Sequence, residues 1–147
     1  MIITYTPEGG EEQQLDAGRL RTSEIQIVER TADLVWPDVR QGLKDGNVTA
    51  IRAVAWVLLK RDQPGLKYGE FDPFEDQLGV RLDPREVERY AEFLTEAYRD
   101  EPEALEAAMA ELQDAALDQD HATQVIAEAA NPGPKEASGT SPSPSSG

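Results

Sequence analysis

The side chains best suited to chemistry in this sequence are its many carboxylates and one imidazole, His121, which follows Asp118 and Asp120. A histidine beside acids can act as a base or a metal ligand, but nucleophilic catalysis also needs a nucleophile and an orienting partner. In this acidic stretch His121 reads as a solvated helical histidine. Glu75-Asp76, Glu86, Glu88 and Glu92 fall at the spacings of a solvated helix face, with no sign of an apolar pocket that would split two pKa values. Asp72 and Asp76 do not continue into a calcium loop, because the alternating ligands, central glycine and terminal glutamate are missing. Gly9-Gly10 lacks the further glycines and the Lys-Ser/Thr pair of a phosphate-binding loop and reads as a turn. The chain has no cysteine, which excludes disulfides, thiolate nucleophiles and zinc-thiolate sites. The residues therefore point away from an enzyme, and no catalytic, cofactor-binding or metal-ligating residue is assigned.

The 147 residues leave room for about one domain, and 29 acidic against 14 basic side chains give a formal charge of −15. That field repels nucleic acid and anionic membranes alike. The longest apolar run, Ala53 to Leu59, is seven residues long, against the roughly 20 that a membrane helix needs. The N-terminus lacks the basic, apolar and small-residue order of a signal peptide. A soluble, cytoplasmic protein is expected.

Ile2 to Tyr5, Pro7-Glu8-Gly9-Gly10 and Glu11 to Leu15 suggest a β-hairpin, which must pack on helices or pair with another chain because an isolated ribbon is marginal. Ser23 with Gln26 fits a capping box for a helix carrying Ile25, Val28, Ala32 and Val35. Pro37 opens a second helix with Val39 and Leu43, stopped at Lys44-Asp45-Gly46. Asn47 caps a third, apolar on most faces, with Ile51, Val54, Ala55, Leu58 and Leu59 at helical spacing. Asp72-Pro73 suggests a short helix burying Phe71, Phe74 and Leu78. Asp83-Pro84-Arg85-Glu86 starts a helix striped by Val87, Tyr90, Ala91, Leu94 and Tyr98.

Residues 101–130 differ in kind, with ten alanines, eight acidic residues and no Lys or Arg. Their stripe of Leu105, Met109, Leu112 and Ala116 is narrow, so a loosely held helix or one awaiting a partner is expected. Residues 1–60 carry nine acidic and seven basic side chains, net −2, whereas residues 61–130 carry nineteen and six, net −13. Residues 131–147 are rich in Pro, Gly, Ser and Thr and read as a disordered tail. The aromatic group Trp36, Trp56, Tyr68, Phe71 and Phe74 reads as core filling, or as a core from which Trp56 or Phe71 stays at a groove rim to anchor a partner helix.

Within roughly residues 20–78 several runs occur together: Thr22-Ser23-Glu24, Glu29-Arg30-Thr31, Val35-Trp36-Pro37-Asp38, Ala53 to Arg61, and Pro64 to Phe71. This combination resembles the tail assembly chaperones of long-tailed (siphovirus-type) bacteriophages. The resemblance implies a small, acidic, mainly helical protein with no catalytic set and no cofactor. Its partner would be the tape measure protein, held soluble in the host cytoplasm until the tail tube polymerises around it, with the chaperone absent from the mature virion. It also implies possible partnership with the tail tube protein, and a longer product made by ribosomal frameshifting; Gly133-Pro134-Lys135 admits codons for a slippery heptamer. One departure is Ala32-Asp33 after Thr31, where many relatives have glycine, which changes the turn there.

An acidic surface with spare apolar side chains suits helix-in-groove shielding of a client's amphipathic helices. Trp56, Phe71, Leu105, Met109 and Leu112 are the partner-binding candidates, towards the client or a second copy of the chain. Two other classes remain open: an acidic DNA mimic that inhibits a DNA-binding enzyme, and a minor structural virion protein. The expected fold is mainly α, with a helical domain and N-terminal hairpin over residues 1–100, an acidic helical extension over 101–130, and the tail.

Overall fold

Ile2–Tyr5 (β1) pairs antiparallel with Gln13–Asp16 (β2), forming the expected hairpin around a turn in which Gly9 takes a positive φ of 74°. The sequence reading lacked a third strand, Leu78–Arg81 (β3), which pairs antiparallel with the other edge of β1 in the order β2-β1-β3. Ile3, opposite both Leu15 and Val80, is fully buried, so the ribbon gains the third strand and packed face that it needs. The computed structural model describes residues 1–131. Apart from Asn131, the expected disordered tail lies outside the described residues, and so does Gly133-Pro134-Lys135.

The chain divides into two compact units, Met1–Arg81 and a second that begins at Leu82. In the first, Thr22–Ala32 (α1) and Trp36–Asp45 (α2) pack on Val48–Leu59 (α3), which also contacts all three strands. Every residue from Ala53 to Leu59 is buried, as expected for a helix apolar on most faces. The α2–α3 turn is tight: Asn47 Oδ1 accepts from the Ala50 N–H, and Gly46 holds a φ of 77°. A Cβ on Gly42 would come within 2.9 Å of the Ala50 Cβ, so only glycine permits this approach.

Three details differ from the sequence expectations. Helix α1 starts two residues earlier than Ser23 suggests, because the Glu24 carboxylate accepts the Arg21 N–H at 2.7 Å in place of a Ser23 cap. It ends at Asp33, a left-handed residue at φ 57°, which leaves Val35 outside the buried stripe. The short helix expected after Asp72-Pro73 is a single 3₁₀ turn rather than an α-helix. The segment makes two 3₁₀ turns, Tyr68–Glu70 and Glu75–Gln77, and runs into β3. Gly79 concealed that strand by lowering its β propensity, yet it is needed there: a Cβ would lie 2.8 Å from Thr4 Oγ1.

In the second unit, Pro84–Ala97 (α4) opens with the expected cap. Asp83 accepts from the Glu86 N–H and Glu86 from the Asp83 N–H, both at 2.9 Å. Residues 101–130 form two helices rather than one, Pro102–Ala115 (α5) and Gln119–Ala130 (α6). The break has local causes: Leu117 donates its N–H to the Leu82 carbonyl, and Asp118 caps α6 by accepting from the His121 N–H. Val87 and Ala91 of α4 pack with Met109, Leu112, Ala116 and Ala122. Helix α4 thus belongs with α5 and α6, and the boundary falls at residues 81/82 rather than near 100, because its stripe finds its apolar partners in α5 and α6.

Candidate protein-binding surface

Trp56 lies on α3, where its ring packs edge-on to Tyr68 at 5.3 Å and its indole N–H donates to the Leu66 carbonyl at 3.0 Å. Arg52, one turn earlier, donates to the Tyr68 and Phe71 carbonyls at 3.0 and 2.8 Å and stacks 3.9 Å above the Tyr68 ring. Phe71 meets Tyr5 of β1 edge-on at 5.2 Å. Trp56 and Phe71 are 8% and 4% exposed. The core reading of the aromatics therefore holds for both, and the groove-rim role is corrected: these rings fasten the 66–71 loop to α3 and the sheet.

A second fastening joins the start of α1 to the residue beyond α3. The Glu24 carboxylate receives Arg61 Nε and Nη2, both at 2.8 Å, and Arg61 also donates to the Arg19 carbonyl at 2.9 Å. Arg61's hydrogen bonds, outweighing the opposing effect of burial, hold the Glu24 carboxyl down at about 2. With the Arg21 N–H, the Glu24 carboxylate thus accepts three hydrogen bonds, and the pair ties the start of α1 to the chain that follows α3.

His121 Nε2 lies 3.1 Å from Glu88 Oε2, while Nδ1 is enclosed with no hydrogen-bond partner. No group of three or more potential metal ligands converges among the described residues. Met109 and Leu112 are buried in the cluster that α4, α5 and α6 share, which corrects Leu112 to a core residue, while Met109 also lines a groove between α5 and α6. Leu105 is half-buried at the edge of the same cluster.

What the second unit leaves open is a pair of adjoining grooves. One, about 420 Å³, is walled by α5 and α6, with Leu105, Met109, Ile126 and Ala129 inside and Glu106 at its margin. The other, about 930 Å³, runs between α4 and α6 over Ala91, Val125 and Ala129, bounded by Glu88, Glu92, Glu96 and Glu128. Thr95 and Ala129 line both. The charge here is lopsided: residues 82–131 carry fourteen acidic and three basic side chains, net −11, against fourteen and ten, net −4, in residues 1–81. Of the sequence candidates, only Leu105 and Met109 line a groove; Trp56, Phe71 and Leu112 do not.

Several exposed aromatics escaped the sequence reading. Phe74, expected in the core, is 69% exposed in the acidic Asp72 to Asp76 loop, and Phe93 is 65% exposed on α4. Tyr90, placed on the buried stripe, is also exposed. Helical geometry carried the signal for Phe93, which is rotated away from the Val87, Ala91 and Leu94 line, whereas Tyr90 lies at the edge of that line, three residues after Val87. No helix of the described residues is long and apolar enough to cross a membrane. No family model, curated protein or solved structure matches the chain.

Proposed function

We propose that this chain is a tail assembly chaperone of a long-tailed bacteriophage. It binds the tape measure protein and keeps its helices soluble in the host cytoplasm while the tail tube assembles. In this reading it is the shorter product of a frameshifted gene pair and is left out of the finished virion; the longer product and the tube protein are further partners. The observation that carries the reading is the apolar α5–α6 groove set in a unit of net −11. An apolar trough accepts one face of an amphipathic helix, while the surrounding charge keeps the complex soluble and attracts basic client stretches.

The test is co-expression with the tape measure protein from the same gene cluster. The wild-type chain should move the client from the pellet to the soluble fraction. Ala110 and Ala130 line the α5–α6 groove at exposed positions, so Ala110→Glu with Ala130→Glu charges the trough without touching the core. This double variant should lose most of the solubilisation while its thermal midpoint stays within a few degrees of wild type. A client that stays insoluble beside the wild-type chain removes the chaperone reading. The same acidity favours a second reading, an acidic DNA mimic, which would inhibit a DNA-binding enzyme and release it at high salt.

A further inference from the structure

We infer that the groove between α4 and α6 takes a basic helical segment, with Lys or Arg recurring along one face and small apolar residues beneath them. The inference rests on the client-binding reading above and adds the chemistry of the client. Glu88, Glu92 and Glu96 stand four residues apart on one face of α4, and Glu128 of α6 lies across from them. Like charges at this spacing disfavour a helix, so helix stability does not account for the ladder. Its neighbours in the chain do little to relieve it. Glu96 meets Arg99 at 3.0 Å, with both side chains more than two-thirds exposed, and such a surface pair exchanges readily for another partner. Glu88 meets the His121 ring at 3.1 Å.

The floor sets the shape of the occupant. Ala91, Val125 and Ala129 are small, so a second backbone can come close, and carboxylates beside an apolar floor attract cations more strongly than they would in open water. Four residues of helix rise about 6 Å, so cations at i, i+4 and i+8 of a client helix fall in step with the ladder. Long Lys and Arg stems also cover apolar floor while their heads reach the rim.

Charge excludes the other occupants. A second copy would bring glutamate ladder against glutamate ladder between chains of net −15. Residues 132–147 contain one cation, Lys135, beside Glu136, too little to answer the glutamate ladder of α4. Nucleic acid is repelled.

The experiment is anisotropy of a dye-labelled helical peptide bearing Lys at i, i+4 and i+8 and Ala between, titrated with the full-length chain. The comparison peptide carries Glu in place of Lys. The triple variant Glu88→Gln, Glu92→Gln, Glu96→Gln should weaken the Lys peptide by about tenfold or more, as should raising the salt several-fold. A second triple variant, Glu103→Gln, Glu111→Gln, Asp120→Asn, removes the same charge from exposed positions outside the groove and should change binding by less than about threefold. Equal losses in the two triple variants would show diffuse attraction to an acidic protein and overturn the inference. So would equal binding of the Lys and Glu peptides. Failure here is distinct from failure of the chaperone reading, which shows as an insoluble client beside the wild-type chain.

Discussion

Residues 1–81 and the helices from Leu82 onward solve the burial problem in opposite ways. The first unit uses large side chains and long-range polar fastenings: Arg52, Trp56 and Arg61 each reach a backbone carbonyl from ten to more than forty positions away. The second unit uses alanine. Its buried set is Val87, Ala91, Met109, Leu112, Ala116 and Ala122, and among its side-chain links are Gln113–Thr123 and His121–Glu88. Small side chains bring helices together without filling the flanks, and the unfilled flanks are the two grooves. The first unit is thus built to hold its shape, and the second leaves apolar surface beside a strong negative field.

If the comparison is right, the largest loss comes from the first unit's central ring. Trp56→Ala removes a buried indole and orphans the Leu66 carbonyl, and should cost about 3–5 kcal/mol in urea unfolding. Met109→Ala, at the centre of the thinner core, should cost about 2–4 kcal/mol by the same measurement. A larger loss at Met109 than at Trp56 would break the comparison.

Glu24→Gln should cost about 2 kcal/mol, below the full penalty for a buried pair because Arg61 is 40% exposed. The pH dependence has a definite sign. Glu24 falls from an ordinary value of 4.5 to about 2, so its stabilisation is complete above about pH 4.5 and lost as pH falls through 2. Acid titrations of wild type and Glu24→Gln should therefore converge below pH 4.5. Parallel curves would assign the variant's loss to packing instead.

The smallest effect is a gain. Asp33 occupies the left-handed region at φ 57°, which glycine reaches without steric penalty. Asp33→Gly should raise the thermal midpoint slightly, equivalent to a few tenths of a kcal/mol up to about 1, with the entropy of glycine in the unfolded chain limiting the gain. It belongs to the Ala32-Asp33 pair, where the resemblance to tail assembly chaperones anticipated glycine.

Local signals alone marked out most of the helical framework. Pro37 with Gly46 bounds α2, Asn47 opens α3, and Asp83-Pro84 with Glu86 opens α4, because capping chemistry operates within four residues and is written in adjacent positions. The continuous apolar run of α3 likewise announced the centre of the first unit. The acidity of the second half and the absence of thiol chemistry needed nothing beyond composition.

Long-range pairing decided the rest. Leu78 to Arg81 becomes a strand only because β1 has an unpaired edge about seventy residues earlier in the chain, and Gly79 had erased its local signature. The break between α5 and α6 depends on Leu82 receiving the Leu117 N–H. Which apolar side chains stay at the surface was equally undetermined. Trp56, Phe71, Met109 and Leu112 are sheltered by residues remote in sequence, while Phe74 and Phe93 have no such cover. Hydrophobicity states that a side chain gains by leaving water; only the packed neighbours determine whether it can.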